Sequence, residues 1–129
     1  GLPCTAPAWG KLVAVDLNDG TIKWSEPIGT IRDLAPVPLP LKWGVPNLGG
    51  PLVTETGLTF IGATMDDYLR AFSTETGEEL WKGRLPAGGQ ATPMSYVWQG
   101  KQYVVIAAGG NARLGTKLGD ELVAYALPE

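Results

Sequence analysis

The sequence predicts an all-β fold of short antiparallel strands, and three of its features carry that prediction. The 129 residues include 18 Gly and 11 Pro, which are too many for a helical protein and favour strands joined by tight turns. No window shows a sustained helical period. The third feature is a phrase that occurs twice, as "KLVAVDLNDGTIKWSEPIG" at residues 11–29 and as "YLRAFSTETGEELWKGRLP" at residues 68–86.

The two phrases align at one constant offset, and a third, partial copy, "ELVAYALPE", stands at the C-terminus. The offset pairs Leu12 with Leu69, Ala14 with Ala71, Gly20 with Gly77 and Trp24 with Trp81. Self-similarity at a fixed period is the sequence signature of a repeat architecture. Each copy reads as a hairpin in which the glycine forms the turn and the tryptophan, which buries on the order of 200 Å², acts as the anchor.

Strand-type segments fill most of the remaining chain, and turn residues such as "NDG" at 18–20 and "TETG" at 74–77 separate them. Several segments, "LVAVDL" and "YVVIAA" among them, are apolar at nearly every position. Such strands need a sheet that is covered on both faces. A β-propeller meets this need with antiparallel strands, because its four-stranded blades pack face to face around an axis.

The segments therefore predict a partial β-propeller of about two and a quarter blades. Residues 50–86 form a complete blade, residues 11–29 supply the end of the preceding blade, and residues 91–127 supply three strands of the last blade. Blade edges without a partner strand promote association, so we expect the isolated segment to self-associate.

Composition excludes several classes of function. A net charge of −3 argues against nucleic acid as a partner, since nucleic-acid-binding domains present a basic face. The absence of histidine removes His-ligated zinc sites and Ser-His-Asp nucleophiles. Cys4 is the single cysteine and has no partner for an internal disulfide. No apolar run approaches the roughly 18 residues of a membrane span.

Two sets of motifs resemble a known family. The spacing of Ala14, Asp16, Gly20 and Trp24 is similar to the tryptophan-docking motif of quinoprotein dehydrogenase propellers, and the second copy departs from it at Ser73. The phrases "GTIRDLAPVPLPLKWGVPNLGGP", "FIGATMDDYLRAF", "LPAGGQATPMSY", "GKQYVVIAAGG" and "GTKLGDELVAYALP" resemble the C-terminal end of membrane-bound glucose dehydrogenases that depend on pyrroloquinoline quinone (PQQ), and of their quinate/shikimate relatives. The resemblance covers essentially the whole chain.

The resemblance implies that residues 1–129 are the C-terminal segment of an eight-bladed propeller, with the remainder of the parent propeller as partner. It implies PQQ at the axis beside a Ca²⁺ or Mg²⁺ ion, oxidation of a sugar or cyclic polyol, and electron transfer to ubiquinone. The metal ligands and the catalytic base are expected upstream, so no catalytic or metal residue is assigned here and the segment alone is expected to be inactive. The implied location is the periplasmic face of the inner membrane, with the anchor in other parts of the parent chain.

The loop "GGNARLGTKLGD", residues 109–120, is the first candidate site, because long loops on a rigid scaffold often carry function. Asn111 stands where the resemblance expects a histidine near the substrate; it either faces the active site or is a turn residue with positive φ. Arg113 and Lys117 either pair with an anionic substrate or the PQQ carboxylates, which would suit quinate or shikimate, or are solvated charges.

Three further residues are candidates for contact with substrate or cofactor. Asp66, in the "MDD" turn, either hydrogen-bonds one of these groups or serves only the turn. Trp43 and Asn47 belong to the Pro-rich connection of residues 32–50, which either shapes one wall of the substrate entrance or packs as a surface connection. Two alternatives stay open at this stage: a quinate/shikimate dehydrogenase of the same family, and a non-enzymatic propeller scaffold with PQQ-like repeats.

Overall fold

A computed structural model of the protein describes residues 4–33, 35 and 39–128. The secondary structure in these ranges consists of strands and turns, with no helix, as the sequence predicts. The strands of the described residues are β1 (Lys11–Val15), β2 (Ile22–Pro27), β3 (Leu52–Val53), β4 (Leu58–Ile61), β5 (Tyr68–Ser73), β6 (Glu79–Arg84), β7 (Met94–Trp98), β8 (Lys101–Ala108) and β9 (Glu121–Ala126).

The strands form three antiparallel sheets, and within each sheet neighbouring strands follow one another in the sequence. The first sheet contains β1 and β2, the middle sheet contains β3 to β6, and the last sheet contains β7 to β9. These sheets lie within residues 11–29, 50–86 and 91–127, respectively. The assignment of the three ranges to particular blades of an eight-bladed ring stays a prediction.

Two apolar clusters join the sheets. The cluster between the first and middle sheets contains Ile28, Ile61, Ala63 and Phe72, with Leu12 packed against it. The cluster between the middle and last sheets is larger and comprises Leu69, Leu85, Ala87, Val104, Ile106 and Ala108. The middle sheet is therefore covered on both faces, which explains why β5 is buried at nearly every position along its length.

The repeated phrase forms the same hairpin in both of its copies. Ala14 lies opposite Trp24 across β1 and β2, and Ala71 lies opposite Trp81 across β5 and β6. Both hairpins have an irregularity in register directly after the alanine. The glycine N–H of each turn donates to the carbonyl of the residue four positions earlier, at 2.8 Å in the first copy and 2.9 Å in the second. Because these are backbone bonds, serine replaces aspartate at position 73 without loss of the turn.

The first tryptophan of the repeat anchors one sheet on the next. Trp24 Nε1 donates to the carbonyl of Thr74, in the turn between β5 and β6, at 3.0 Å. A Cβ atom on Gly77 would lie 2.7 Å from the Trp24 ring, so the ring rests directly on the backbone of that turn. Trp81 instead packs edge-on against Tyr125 of the last sheet, with ring centroids 5.0 Å apart.

Large apolar side chains are exposed on the first and last sheets. Val13, Val15 and Ile22 are exposed on the first sheet, and Val97 and Trp98 on the last. These are surfaces that a neighbouring blade would cover in a ring. Self-association of the isolated chain stays a prediction. In the described part of the chain, no helix has the length and apolarity to span a membrane.

The contact between Trp24 and Gly77 leads to a prediction about stability. Gly77→Ala places a methyl group against the indole ring at a position where φ is 77°. We expect a loss of about 3 kcal/mol in the free energy of unfolding, from backbone strain and overpacking together. The matched control is Gly57→Ala, where φ is 84° and nothing lies within 4 Å of the added Cβ, so only the strain of about 1 kcal/mol remains. Urea denaturation of both variants measures the difference, and equal losses would contradict a docked Trp24.

Candidate functional site

Four connections between strands meet at one end of the three sheets. They are residues 28–51, 62–67, 85–93 and 109–120, which follow β2, β4, β6 and β8. Alternate connections of antiparallel meanders lie at the same end, and backbone hydrogen bonds join these four into one layer. Leu48 N donates to Ala63 O at 2.9 Å, Ala63 N to Gly89 O at 2.7 Å, and Gly88 N to Lys117 O at 3.0 Å.

Glycines permit this close approach. A Cβ atom on Gly62 would lie 2.3 Å from the carbonyl oxygen of Gly89, so no other residue fits there without moving a backbone. Gly110 has a φ of 68°, and a Cβ on it would lie 2.0 Å from the carbonyl oxygen of Lys117. Gly62 and Gly110 are therefore requirements of the loop layer.

Asp66 is fully buried at this end, and its carboxylate is bound on both oxygens by residues of the chain itself. Arg70 donates to both oxygens, and Thr64 Oγ1 donates to Oδ1 at 2.7 Å. The N–H and the hydroxyl of Thr30 both donate to Oδ2 at 2.7 Å. Burial raises the pKa of Asp66, but the hydrogen bonds and charge of Arg70, with Thr64 and Thr30, lower it further than burial raises it.

The surroundings of Asp66 favour the second of its two predicted roles, in which it serves the turn, and contact with substrate or cofactor stays a prediction. A hydrogen bond from this side chain to substrate or cofactor would require breaking the contacts with Arg70 and Thr30, and the side chain has no exposed surface. Its function is to join the connection at Thr30 to the middle sheet. The sequence shows a carboxylate in a turn but cannot show that Thr30 and Arg70 converge on it.

Asp67 lies next in sequence, and its pKa is shifted in the opposite direction from that of Asp66. It is 5% exposed, its Oδ1 has no hydrogen-bond partner among the described residues, and its φ is 48°. Its Oδ2 lies 3.7 Å from Nη2 of Arg84, whose guanidinium is bound in a forked pair by Asp33 at 2.7 Å. Burial and the charge of Asp33 raise the pKa of Asp67 more than Arg84 and Lys117 lower it.

A cleft of about 270 Å³ opens between the connections near β8. It is lined by Leu48, Gly88, Gln90, Ala91, Ala107, Gly109, Gly110 and Asn111. None of these side chains carries a charge, and the two carboxamides, Gln90 and Asn111, are its polar side chains. The cleft thus suits uncharged groups that donate or accept hydrogen bonds.

Asn111 lines this cleft, and its side chain also organises the loop. Oδ1 accepts from the N–H of Arg113 at 2.9 Å and from the N–H of Leu114 at 3.2 Å. The backbone N–H of Asn111 donates to Thr116 Oγ1 at 2.7 Å. The positive φ considered for this residue is instead found at Gly110, so Asn111 serves the turn through its side-chain oxygen.

The other predicted residues lie outside the cleft. Arg113 and Lys117 are exposed on the same loop, and neither is among the lining residues. Trp43 packs edge-on against Trp9, with ring centroids 6.1 Å apart, and Nδ2 of Asn47 lies over the backbone of Gly10. Within the described part of the Pro-rich connection, Leu48 is the residue that lines the cleft.

Sequence reasoning missed Gln90 and Thr116. Gln90 lines the cleft, and Thr116 is buried behind Asn111. A glutamine that directly follows two glycines in "LPAGGQATP" was a usable signal, because a glycine pair marks close backbone contact. Thr116 had no such signal in the sequence.

A family model described as "PQQ: Glucose/ethanol/alcohol dehydrogenase, beta-propeller domain" matches residues 1–104, which is most of the chain. The chain belongs to this family. Its similarity to curated members extends over its full length: it is 58% identical to quinoprotein glucose dehydrogenase A of Acinetobacter calcoaceticus and 56% identical to quinoprotein glucose dehydrogenase of Escherichia coli (strain K12). It is also 52% identical to a probable quinate dehydrogenase (quinone) of Xanthomonas campestris pv. juglandis. The chain spans 16–17% of the length of these relatives.

Solved structures confirm that the fold is part of a propeller. The quinohemoprotein alcohol dehydrogenase of Comamonas testosteroni aligns with a TM-score of 0.60 and 26% identity, over 88% of this chain and 16% of that protein. A europium-containing methanol dehydrogenase aligns with a TM-score of 0.65 over 89% of this chain and 23% of the other; at 24% identity it supports the fold alone.

The described residues of this quinoprotein-family chain do not bring together three Asp, Glu, His or Cys side chains that could hold a metal ion. Asp66 and Asp67 lie side by side, but Arg70 and Arg84 occupy the surroundings that a cation would need. That the metal ligands lie elsewhere in a longer protein stays a prediction.

The adjacent aspartates give a prediction with a built-in control. Asp66→Asn leaves the buried Arg70 guanidinium with Glu79, whose Oε2 lies 3.3 Å from Nε, as its remaining counter-charge, so we expect a loss of about 3 kcal/mol in the free energy of unfolding at pH 7. Asp67→Asn removes a poorly paired buried charge and keeps a residue that tolerates positive φ, so we expect a gain of about 1 kcal/mol.

The pH dependence of the two variants should differ in sign. The pKa of Asp67 is raised above 3.8 in the folded state. Protonated Asp67 therefore contributes fully to the free energy of unfolding below pH 3.8, and this contribution is lost as pH rises through the folded-state pKa. The gain from Asp67→Asn should therefore vanish in acid. The pKa of Asp66 is lowered, so its contribution is present above pH 3.8 and is lost as pH falls through the folded-state pKa. Thermal unfolding between pH 3 and pH 8 checks both, and destabilisation by Asp67→Asn at pH 7 would contradict this account.

Proposed function

We propose that the protein containing this chain is a PQQ-dependent dehydrogenase that oxidises a neutral sugar or polyol. The observation that carries the proposal is the uncharged cleft at the loop end of the sheets, where Asn111 and Gln90 are the polar side chains. Identity of 56–58% to quinoprotein glucose dehydrogenases over the whole chain supports the same reaction class.

When bound, PQQ supplies the acceptor for the two electrons and the hydrogen removed from the substrate. The residues that line the cleft are suited to binding substrate next to PQQ. The backbone at Gly109 and Gly110 leaves one side of the cleft without side chains, and the carboxamide of Asn111 offers a donor. What these residues do is bind and orient a hydroxyl group; the chain supplies no residue to which we assign proton removal.

The finer parts of the proposal rest on resemblance. The phrases from "GTIRDLAPVPLP" to "GTKLGDELVAYALP" resemble membrane-bound glucose dehydrogenases, which supports ubiquinone as acceptor and the periplasmic face of the inner membrane as location. The chain alone should be inactive, because its described residues hold no candidate metal site and its three sheets are a minority of the eight-bladed ring that the resemblance implies.

Quinate or shikimate is a second candidate substrate, favoured by the 52% identity to a probable quinate dehydrogenase. An anionic substrate would use Lys117 or Arg113, the exposed cations of the 109–120 loop. Neither lines the cleft, which is why the neutral substrate is preferred.

The test is dye-linked dehydrogenase activity of the full-length protein with PQQ and Mg²⁺ or Ca²⁺, on glucose, other aldoses, quinate and shikimate. We expect turnover of at least one aldose, with KM raised about three- to tenfold by Asn111→Ala, the effect of one lost neutral hydrogen bond. Lys117→Gln is the matched control and should leave KM for the aldose unchanged.

Two results would redirect the proposal. Turnover of quinate or shikimate alone, with a large KM increase in Lys117→Gln, would favour the second candidate. Absence of PQQ binding and of turnover would remove the enzymatic proposal and favour a scaffold propeller.

A further inference from the structure

A chain of hydrogen bonds runs from the connection after β4 to Asn111 behind the cleft. Gln90 Nε2 donates to the carbonyl of Thr64 at 2.8 Å, and Gln90 Oε1 accepts from Thr116 Oγ1 at 3.0 Å. Thr116 Oγ1 in turn accepts from the backbone N–H of Asn111 at 2.7 Å. We call Gln90, Thr116 and Asn111 the amide relay.

Each end of Gln90 has a defined partner, so its orientation is fixed. If the amide were rotated by 180°, its oxygen would face the carbonyl of Thr64 and both atoms would be acceptors. The surrounding space is also closed, because a Cβ on Gly88 would lie 2.4 Å from Gln90 Oε1 and 2.6 Å from Thr116 Oγ1. Gln90 can therefore present only an acceptor to Thr116.

The acceptor on Gln90 decides what Thr116 does. Thr116 is 7% exposed, and its hydroxyl has a single proton and two acceptors within reach: Gln90 Oε1 at 3.0 Å is the nearer, and the carbonyl of Asn111 lies at 3.4 Å. The lone pairs of the hydroxyl are then available to the N–H of Asn111. Thr116 thus fixes the start of the turn whose N–H groups, at Arg113 and Leu114, hold the side-chain oxygen of Asn111.

These hydrogen bonds give the Asn111 carboxamide one fixed orientation at the cleft. Because Oδ1 of Asn111 is occupied by two backbone N–H groups, its Nδ2 is the part of the amide that has no partner among the described residues. Asn111 lines the cleft, so the group it can offer to a ligand is a donor.

We propose that Gln90 and Thr116 are positioning residues, which hold Asn111 so that Nδ2 donates to a hydroxyl oxygen of a neutral polyhydroxylated substrate. The proposal rests on the proposed function for the substrate class and extends it to two residues that act through Asn111. It also predicts selectivity, because a deoxy analogue that lacks the accepting oxygen loses the bond.

The test is a double-mutant cycle in the full-length protein loaded with PQQ, with the best aldose as substrate. Thr116→Val removes the hydroxyl at constant shape and should raise KM about three- to tenfold with little change in kcat, since one neutral hydrogen bond is lost in binding. Thr116→Ser keeps the hydroxyl and should restore a KM near that of the parent protein.

The decisive comparison uses Asn111→Ala. If Thr116 acts through Asn111, adding Thr116→Val to Asn111→Ala raises KM no further, because the residues are coupled. Gln90→Met, which keeps length but removes both polar atoms, provides a second route should Thr116→Val not fold. It should raise KM by a similar factor and be equally silent in the Asn111→Ala background.

Two readouts separate positioning from a general loss of structure. Hydrogen exchange, followed by mass spectrometry, should be faster in Thr116→Val for peptides covering residues 109–120 and unchanged for β5. Affinity for PQQ, measured by absorbance titration, should also be unchanged.

The failures of the two proposals are distinguishable. A parent protein without PQQ-dependent aldose turnover would overturn the proposed function, and with it the role of the relay in binding. An active parent whose KM is unaffected by Thr116→Val, or whose Thr116→Ser variant is as impaired as Thr116→Val, would overturn the relay alone. Fully additive effects of Thr116→Val and Asn111→Ala on KM would overturn it as well.

Discussion

The loop end of this molecule depends on one close backbone contact, the approach of Gly62 to Gly89. At that point the connection after β4 and the connection after β6 touch without side chains between them, and Ala63 N donates to Gly89 O at 2.7 Å. Two backbone hydrogen bonds flank this contact: Leu48 N donates to Ala63 O on one side, and Gly88 N donates to Lys117 O on the other. Any residue larger than glycine at position 62 would separate the two connections and break the hydrogen bond from Ala63 N to Gly89 O.

Charge at this end is placed so that the cleft itself stays neutral. Arg70 balances the charge of the buried Asp66 carboxylate, whose oxygens also accept hydrogen bonds from Thr30 and Thr64. The Arg84 guanidinium is held by Asp33, on the connection after β2. These ion pairs join the first connection to the middle sheet, while the carboxamides of Gln90 and Asn111 face the cleft. The charged groups thus join the connections to the sheets, and the polar side chains that line the cleft are uncharged.

Local sequence patterns predicted the strands well because the relevant constraints are local. Turn glycines and the repeated Ala–Trp pairing lie within one hairpin, so the pattern around Gly20 and Gly77 is enough to predict two hairpins. The family resemblance drew attention to the loop of Asn111, since its motif is contiguous in the sequence; contact of this loop with substrate stays a prediction.

Side-chain roles that depend on distant partners were not predictable in the same way. The partners of Asp66 could not be read from the sequence, because Thr30, 36 positions away, supplies two of its hydrogen bonds. Trp43 and Asn47 lie against Trp9 and Gly10, a contact that no motif in the Pro-rich connection announces. The relay through Gln90 and Thr116 spans 26 positions and required the three-dimensional structure.

The central claim is that Asn111 binds a substrate hydroxyl while Asp66 remains a structural residue. The most direct measurement is a structure of the full-length protein with PQQ and a bound aldose or a non-reactive aldose analogue. The account predicts Asn111 Nδ2 at about 3 Å from a sugar oxygen, with both oxygens of Asp66 still bound to Arg70. A sugar placed out of reach of Asn111, or an Asp66 carboxylate turned away from Arg70 toward the ligand, would contradict it.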